Sequence, residues 1–115
     1  MVKRWFAKPY ATVRPQEVAA LLAAGAILLD VREPAEWRAG HAPKARHIPL
    51  GELSARAGEL PAGRPVVTVC QSGMRSARAA SMLAVQGREV SNLAGGMGAW
   101  VRAGLPVVAK SGRIA

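Results

Sequence analysis

Cys70 opens the run Cys70-Gln71-Ser72-Gly73-Met74-Arg75-Ser76, which brings a thiol, a glycine, two hydroxyls and a guanidinium into seven residues. A helix is predicted to begin near Met74. Its first N–H groups have no partner inside the helix, and with the helix dipole they stabilise a negative charge close to that end. Gly73 lets the loop curl so that several N–H groups converge on one point. Arg75 adds a permanent charge and a planar fork of donors, and Ser72 and Ser76 add hydroxyl donors to a bound anion or to the sulfur. A thiol in that setting ionises below its usual range, and the thiolate is the nucleophile. The chemistry favoured is a reactive, nucleophilic thiolate at Cys70. The competing reading of Cys70 is a buried structural cysteine, and that of Arg75 is a surface arginine.

The elements that must position this loop follow from apolar patterning. Val66-Val67-Thr68-Val69 is rich in β-branched residues and reads as a strand ending at Cys70. From Met74 to Gln86 the pattern turns helical, with Ala77, Ala80, Leu83 and Ala84 on one side, and Gly87 ends it. Upstream, Pro15 suits a first helical turn, and Val18, Leu21 and Leu22 make an apolar face to about Ala24, before Gly25. The run Ala26–Leu29, ending in Asp30, reads as a strand buried on both faces. Pro34 opens a short helix carrying Trp37, and Gly40 closes it. Arg46–Leu50 is a short strand ending at Pro49, and Glu52–Ala57 is a brief helical turn. Glu89–Leu93 is another strand, followed by a glycine turn and a helix with Met97, Trp100 and Val101. A fifth strand falls near Ala11–Val13. Strands alternating with helices argue for parallel α/β architecture, in which ligands bind at the carboxyl ends of the strands. Cys70 lies at such an end.

Asp30 and Arg32 also follow a strand. They either line the pocket or support it. The expectation is support: Asp30 as a helix cap or an arginine's partner, and Arg32 in an ion pair with Glu33 or Glu36. His41 is expected to be structural, Gly95 and Gly96 to serve backbone geometry, and Trp37 and Trp100 to pack, with Trp37 the more exposed.

The chain of 115 residues is half hydrophobic and one-fifth charged, which is the composition of one globular domain. One cysteine cannot form an internal disulfide. With two histidines, His41 and His47, it makes a poor metal set. The longest apolar stretch, Val18–Leu29, falls short of the roughly 18 residues of a membrane span, and the basic start lacks a signal peptide's apolar region. The expectation is a cytoplasmic monomer with no cofactor, no metal and no membrane or nucleic-acid partner. The net charge of +9 sits mostly at the ends: Lys3, Arg4, Lys8 and Arg14 in residues 1–14, and Arg102, Lys110 and Arg113 in residues 102–115, have no acid among them. Solvated basic tails account for this, with attraction of anionic substrates or acidic partners as the functional alternative.

Four segments, in order, resemble the rhodanese homology family. LLDVREPAEWRAGH (28–41) is similar to its acidic strand-end motif and short helix. HIPL (47–50) is similar to its next strand, CQSGMRSARAASML (70–83) to its active-site loop and helix, and VSNLAGGMGAW (90–100) to its closing glycine turn. The resemblance covers about 12–107, leaving 1–11 as a basic extension and 108–115 as a tail. It implies a single-domain, five-stranded parallel sheet with helices on both faces. It further implies that the Cys70 thiolate attacks the outer sulfur of an anionic donor such as thiosulfate, releasing sulfite. The resulting persulfide would be cradled by the N–H groups of 71–76 and discharged to cyanide, a thiol or a sulfur-relay protein. Two positions depart from the family pattern: Lys44 stands where glycine is usual, and Gln71 where arginine is frequent.

Three rival functions follow. A cysteine-dependent phosphatase or arsenate reductase resembles Cys, five residues, then Arg; here four residues separate Cys70 from Arg75, so the loop is one residue short for an oxyanion. A rhodanese-like interaction module typically lacks the cysteine. A persulfide relay shares Cys70 and differs only in its partner.

Overall fold

In the computed structural model, which describes residues 8–109, the apolar runs form five parallel strands: β1 (Ala11–Val13), β2 (Ile27–Asp30), β3 (Arg46–His47), β4 (Val66–Val69) and β5 (Val90–Leu93). Their order across the sheet is β1-β5-β4-β2-β3. The two central strands, β4 and β2, are buried at every residue. That is why they read as continuous apolar runs and not as alternating ones.

Alternate residues of the strands face two separate cores. One holds Ile27, Leu29, Val66, Cys70 and Val90 against Leu53, Ala79, Ala80 and Leu83. These last come from α3 (Leu53–Arg56) and α4 (Met74–Val85). The other holds Leu28, Val67, Val69 and Leu93 against Val18, Met97 and Trp100, carried by α1 (Pro15–Ala23) and α5 (Gly96–Arg102). The short α2 (Pro34–Ala39) lies between β2 and β3 in the chain and buries no residue.

Some boundaries differ from the sequence expectation. The strand expected over Arg46–Leu50 has only two ladder residues, because beyond His47 the pairing slips: regular parallel pairing would carry the Leu50 N–H to Arg32, and it meets Val31. The Ile48 and Leu50 N–H groups still reach the carbonyls of Asp30 (3.1 Å) and Val31 (3.0 Å). The turn expected at Glu52–Ala57 is longer, with 3-10 turns at Leu50–Glu52 and Ala57–Glu59 around α3. The turn containing Lys44 closes without a glycine: the Ala45 N–H bonds the Ala42 carbonyl at 3.1 Å, and no non-glycine residue among those described has positive φ. His41 and Val108 exchange backbone hydrogen bonds of 2.9 and 2.8 Å, so the chain stays attached through Val108. Lys3, Arg4, Lys110 and Arg113 lie outside the described residues. No described helix is long and apolar enough to cross a membrane.

Leu83 is fully buried between α4 and the sheet. Leu83→Ala is expected to cost about 2–5 kcal/mol, read as a lower urea midpoint with an unchanged denaturant slope.

Candidate active site

Strand β4 delivers Cys70 to its carboxyl end, where the residue is 1% exposed. Gly73 then turns the chain with φ of 114° and caps α4. Such a φ is freely open only to glycine. The turn points the Gly73 N–H at the Cys70 Sγ (3.1 Å), and the buried Ser76, one helical turn on, donates its hydroxyl to the same sulfur (3.3 Å). Burial by itself would push the thiol pKa up. The Ser76 hydroxyl and the N–H groups of Ser76, Gly73 and Ser72 outweigh that and leave it below an ordinary cysteine's. The donors therefore converge on one atom, as a stabilised thiolate requires.

The loop is held from behind by groups that carried no chemical signal in the sequence. Asn92, on β5, donates from Nδ2 to the Gly73 carbonyl (3.2 Å), and its Oδ1 accepts from the Thr68 hydroxyl (3.3 Å), which also reaches the Ser76 carbonyl (2.9 Å). With its carbonyl so engaged, Gly73 presents its N–H to the sulfur. The one available hint was a polar, strand-averse asparagine inside an apolar strand. The glycine turn presses on the loop from the other side. Met97 and Gly98 donate their N–H groups to the carbonyls of Cys70 (2.7 Å) and Gln71 (3.1 Å). A Cβ on Gly96 would collide with the Cys70 carbonyl and stand 2.7 Å from the Gln71 carbonyl carbon. The glycine is thus needed for close approach as well as for its φ of 57°.

The charged residues are placed differently from expectation. Arg32 does not pair with Glu33 or Glu36. It closes back on Asp30, with its Nη2 2.8 Å from Oδ2 and its Nε 3.1 Å from both oxygens, and both residues are buried. The Asp30 carboxylate also accepts the Arg32 backbone N–H at 2.9 Å, so it faces the start of the Arg32 side chain, which closes onto it. The remaining Arg32 donors reach the Gly40 carbonyl (2.7 Å) and the Gln71 Oε1 (3.4 Å). Asp30 therefore supports, while Arg32 also lines a cleft of about 390 Å³ with Glu36, Gln71, Met97 and Val101.

Arg75 is not a free cation. Its guanidinium forks onto Glu36 (2.6 and 2.9 Å), which holds the Glu36 carboxyl down at about 2 and pushes Arg75 up. The pair spans 39 residues, and no local spacing announces it. Ser72 and Gln71 lie at the surface of the loop, Gln71 exposed, and Met74 is 78% exposed. His41 and His47 stack parallel to Trp37, with centroids at 3.5 and 4.7 Å. The described residues hold no group of three or more His, Cys, Asp or Glu suited to a metal ion.

Comparison with known proteins agrees with this architecture. The model of the rhodanese-like domain matches residues 14–103. A sulfurtransferase of Allochromatium vinosum is 45% identical over 87 residues, covering 75% of this chain and 81% of that protein. The thiosulfate sulfurtransferase GlpE of Pseudomonas syringae is 33% identical over 89 residues, covering 76% and 84%. A rhodanese-related protein of Thermoplasma volcanium superposes with a TM-score of 0.81 at 30% identity, over 86% of this chain and 98% of that one. Other relatives are longer: the chain spans 59% and 40% of two matching Bacillus subtilis proteins.

The hydrogen bonds to Sγ give a pH-dependent expectation. Only the thiolate alkylates, so the iodoacetamide rate rises through the Cys70 pKa. The lowered value moves that rise to lower pH than in an unstructured cysteine peptide. Ser76→Ala removes the hydroxyl donor and should move it back up, with alkylation followed by intact mass from about pH 5 to 10. An unmoved profile would mean that the hydroxyl does not stabilise the thiolate.

Proposed function

The chain belongs to the rhodanese-like sulfurtransferase family, and from that premise we propose that it moves a sulfane sulfur through a persulfide on Cys70. The thiolate attacks the outer sulfur of a donor such as thiosulfate. The S–S bond of the donor breaks, sulfite leaves with the electron pair, and Cys70 holds Cys–S–S⁻. Cyanide or a thiolate acceptor then takes the outer sulfur and returns the thiolate. This is covalent catalysis in two half-reactions.

The observation that carries this reading is the convergence of the Gly73 N–H and the Ser76 hydroxyl on Cys70 Sγ. The loop closes around one atom, which argues against the tetrahedral oxyanion of a phosphatase or arsenate reductase. Cys70 itself argues against a purely interacting module. Gln71, Ser72 and Met74 edge the loop. Gln71 is held by Arg32 and brings no charge of its own to an incoming donor. The likeness to the thiosulfate sulfurtransferase GlpE makes thiosulfate the first donor to try.

The lone cysteine favours a carrier. A persulfide can be resolved by a neighbouring thiol, and this chain has no second one. The sulfur then waits for an external acceptor, whether small molecule or relay protein.

Excess thiosulfate should add one sulfur, roughly 32 Da, at Cys70, located by peptide mapping. Cys70→Ser should abolish both the addition and thiocyanate production; turnover surviving in that variant would overturn the assignment. The persulfidated protein should survive desalting and discharge at a rate that rises with acceptor concentration. Rapid loss in acceptor-free buffer, unchanged on dilution, would contradict the carrier reading.

A further inference from the structure

We propose that Glu36 sets the donor preference of this site: by occupying Arg75 it turns the Cys70 loop away from the thiosulfate dianion and toward organic persulfides. The inference rests on the sulfur-transfer reading above and specifies its donor class.

Glu36 is well placed for this. Its Oε1 accepts the Glu33 N–H at 3.0 Å, so the carboxylate is fixed by the start of its own helix. From there both oxygens meet the Arg75 fork, at 2.6 and 2.9 Å. A bidentate pair of this kind uses the guanidinium face that would otherwise clasp an oxyanion. Arg75 stands in the first turn of α4, next to the Ser76 that bonds Cys70 Sγ, and its charge is already matched by Glu36.

The other cations beside the loop do not make up for it. Arg32 is bound to buried Asp30, and the second loop position is the uncharged Gln71. Arg102, on α5 with its guanidinium near Gly95 and Gly98, is not among the residues that line the adjoining cleft. The adjoining cleft contains the Glu36 carboxylate, and Ala39, Met97, Val101 and Val107 give it apolar walls. The one cation lining it, Arg32, is paired with Asp30, and the carboxylate is paired with Arg75, so a thiosulfate dianion meets no unmatched positive charge in that lining. An alkyl persulfide meets walls suited to its carbon chain.

Only the approach differs between donors. From R–S–SH the Cys70 thiolate takes the terminal sulfur, with its proton. The donor's S–S bond breaks, its carbon–sulfur bond stays intact, and R–S⁻ leaves with the electron pair, giving Cys–S–SH. No oxidant or reductant is consumed, as with thiosulfate.

The test is the second-order rate of sulfur loading on Cys70, followed by intact mass, with thiosulfate and with an uncharged alkyl persulfide generated in situ. Glu36→Gln should speed loading from thiosulfate roughly tenfold, the worth of one freed charge-assisted contact, and leave the alkyl persulfide rate within about twofold. Glu36→Asp, which keeps the charge, should keep the wild-type ratio of the two rates. In Glu36→Gln/Arg75→Ala the thiosulfate gain should vanish. An unchanged ratio in Glu36→Gln, or equal slowing with both donors, would overturn the proposal and leave the pair a brace for α4. Loading of the wild type by neither donor would instead defeat the sulfur-transfer reading, and this inference with it.

Discussion

A thiolate at the buried end of a strand has to be solvated by the protein itself, because water cannot reach around it. That single requirement organises the loop end of the molecule. Gly73 supplies the left-handed turn that swings an N–H onto the sulfur, and Ser76 follows one turn later with its hydroxyl. Asn92 and Thr68 fix the carbonyls on the far side of the same loop. The glycine turn at Gly95–Gly96 takes up the carbonyls of Cys70 and Gln71 through the next helix. Each donor in this set is aimed before any substrate arrives, so no reorganisation has to accompany charge development on sulfur.

The distribution of charge follows a second logic. The chain is strongly basic, yet its two arginines nearest in sequence to the strand ends carrying the site, Arg32 and Arg75, each have a carboxylate. The Asp30–Arg32 pair is buried. An isolated pair of this kind scarcely repays its desolvation, whereas losing one partner strands the other's charge. Its use here is geometric: Arg32 ties the end of β2 to the Gly40 carbonyl and to the Gln71 side chain. Strand, helix end and Cys70 loop are thereby held by one planar group.

The parts of this architecture that are legible in the sequence are those encoded locally. Val66–Val69 and Ile27–Asp30 announce central strands by unbroken burial, and Pro15, Pro34 and Gly73 mark helix starts through restricted or unusual φ. Cys70 and Ser76 stand on either side of a helix start, which makes their meeting readable from spacing alone. What is not legible depends on distance in the chain. Glu36 and Arg75 come from helices that follow different strands, and Asn92 reaches Gly73 from a neighbouring strand, so no periodicity could pair them. Arg32 misleads for the opposite reason: two glutamates close in sequence look like partners, but the backbone at the end of β2 returns its side chain to Asp30. The strand at Arg46–His47 is shorter than its composition suits because the pairing slips by one residue between Ile48 and Leu50.

The strand order places β1 beside β5, with Ala11 opposite Ser91 and Val13 opposite Leu93. Everything from β1 through β5 must therefore be made before β1 has an edge to join. On the ribosome, the segment around Ala11–Val13 emerges early and waits, while β2 and β4 can already zip together. The Cys70 loop belongs to the later part of that schedule, since Asn92 and the Gly96 turn emerge after Cys70. The closing entropy of so long a loop grows only logarithmically, so the arrangement costs little stability. Its effect is on timing: pairings remote along the chain are the slow ones, and both β1 and the Cys70 loop depend on β5 for theirs.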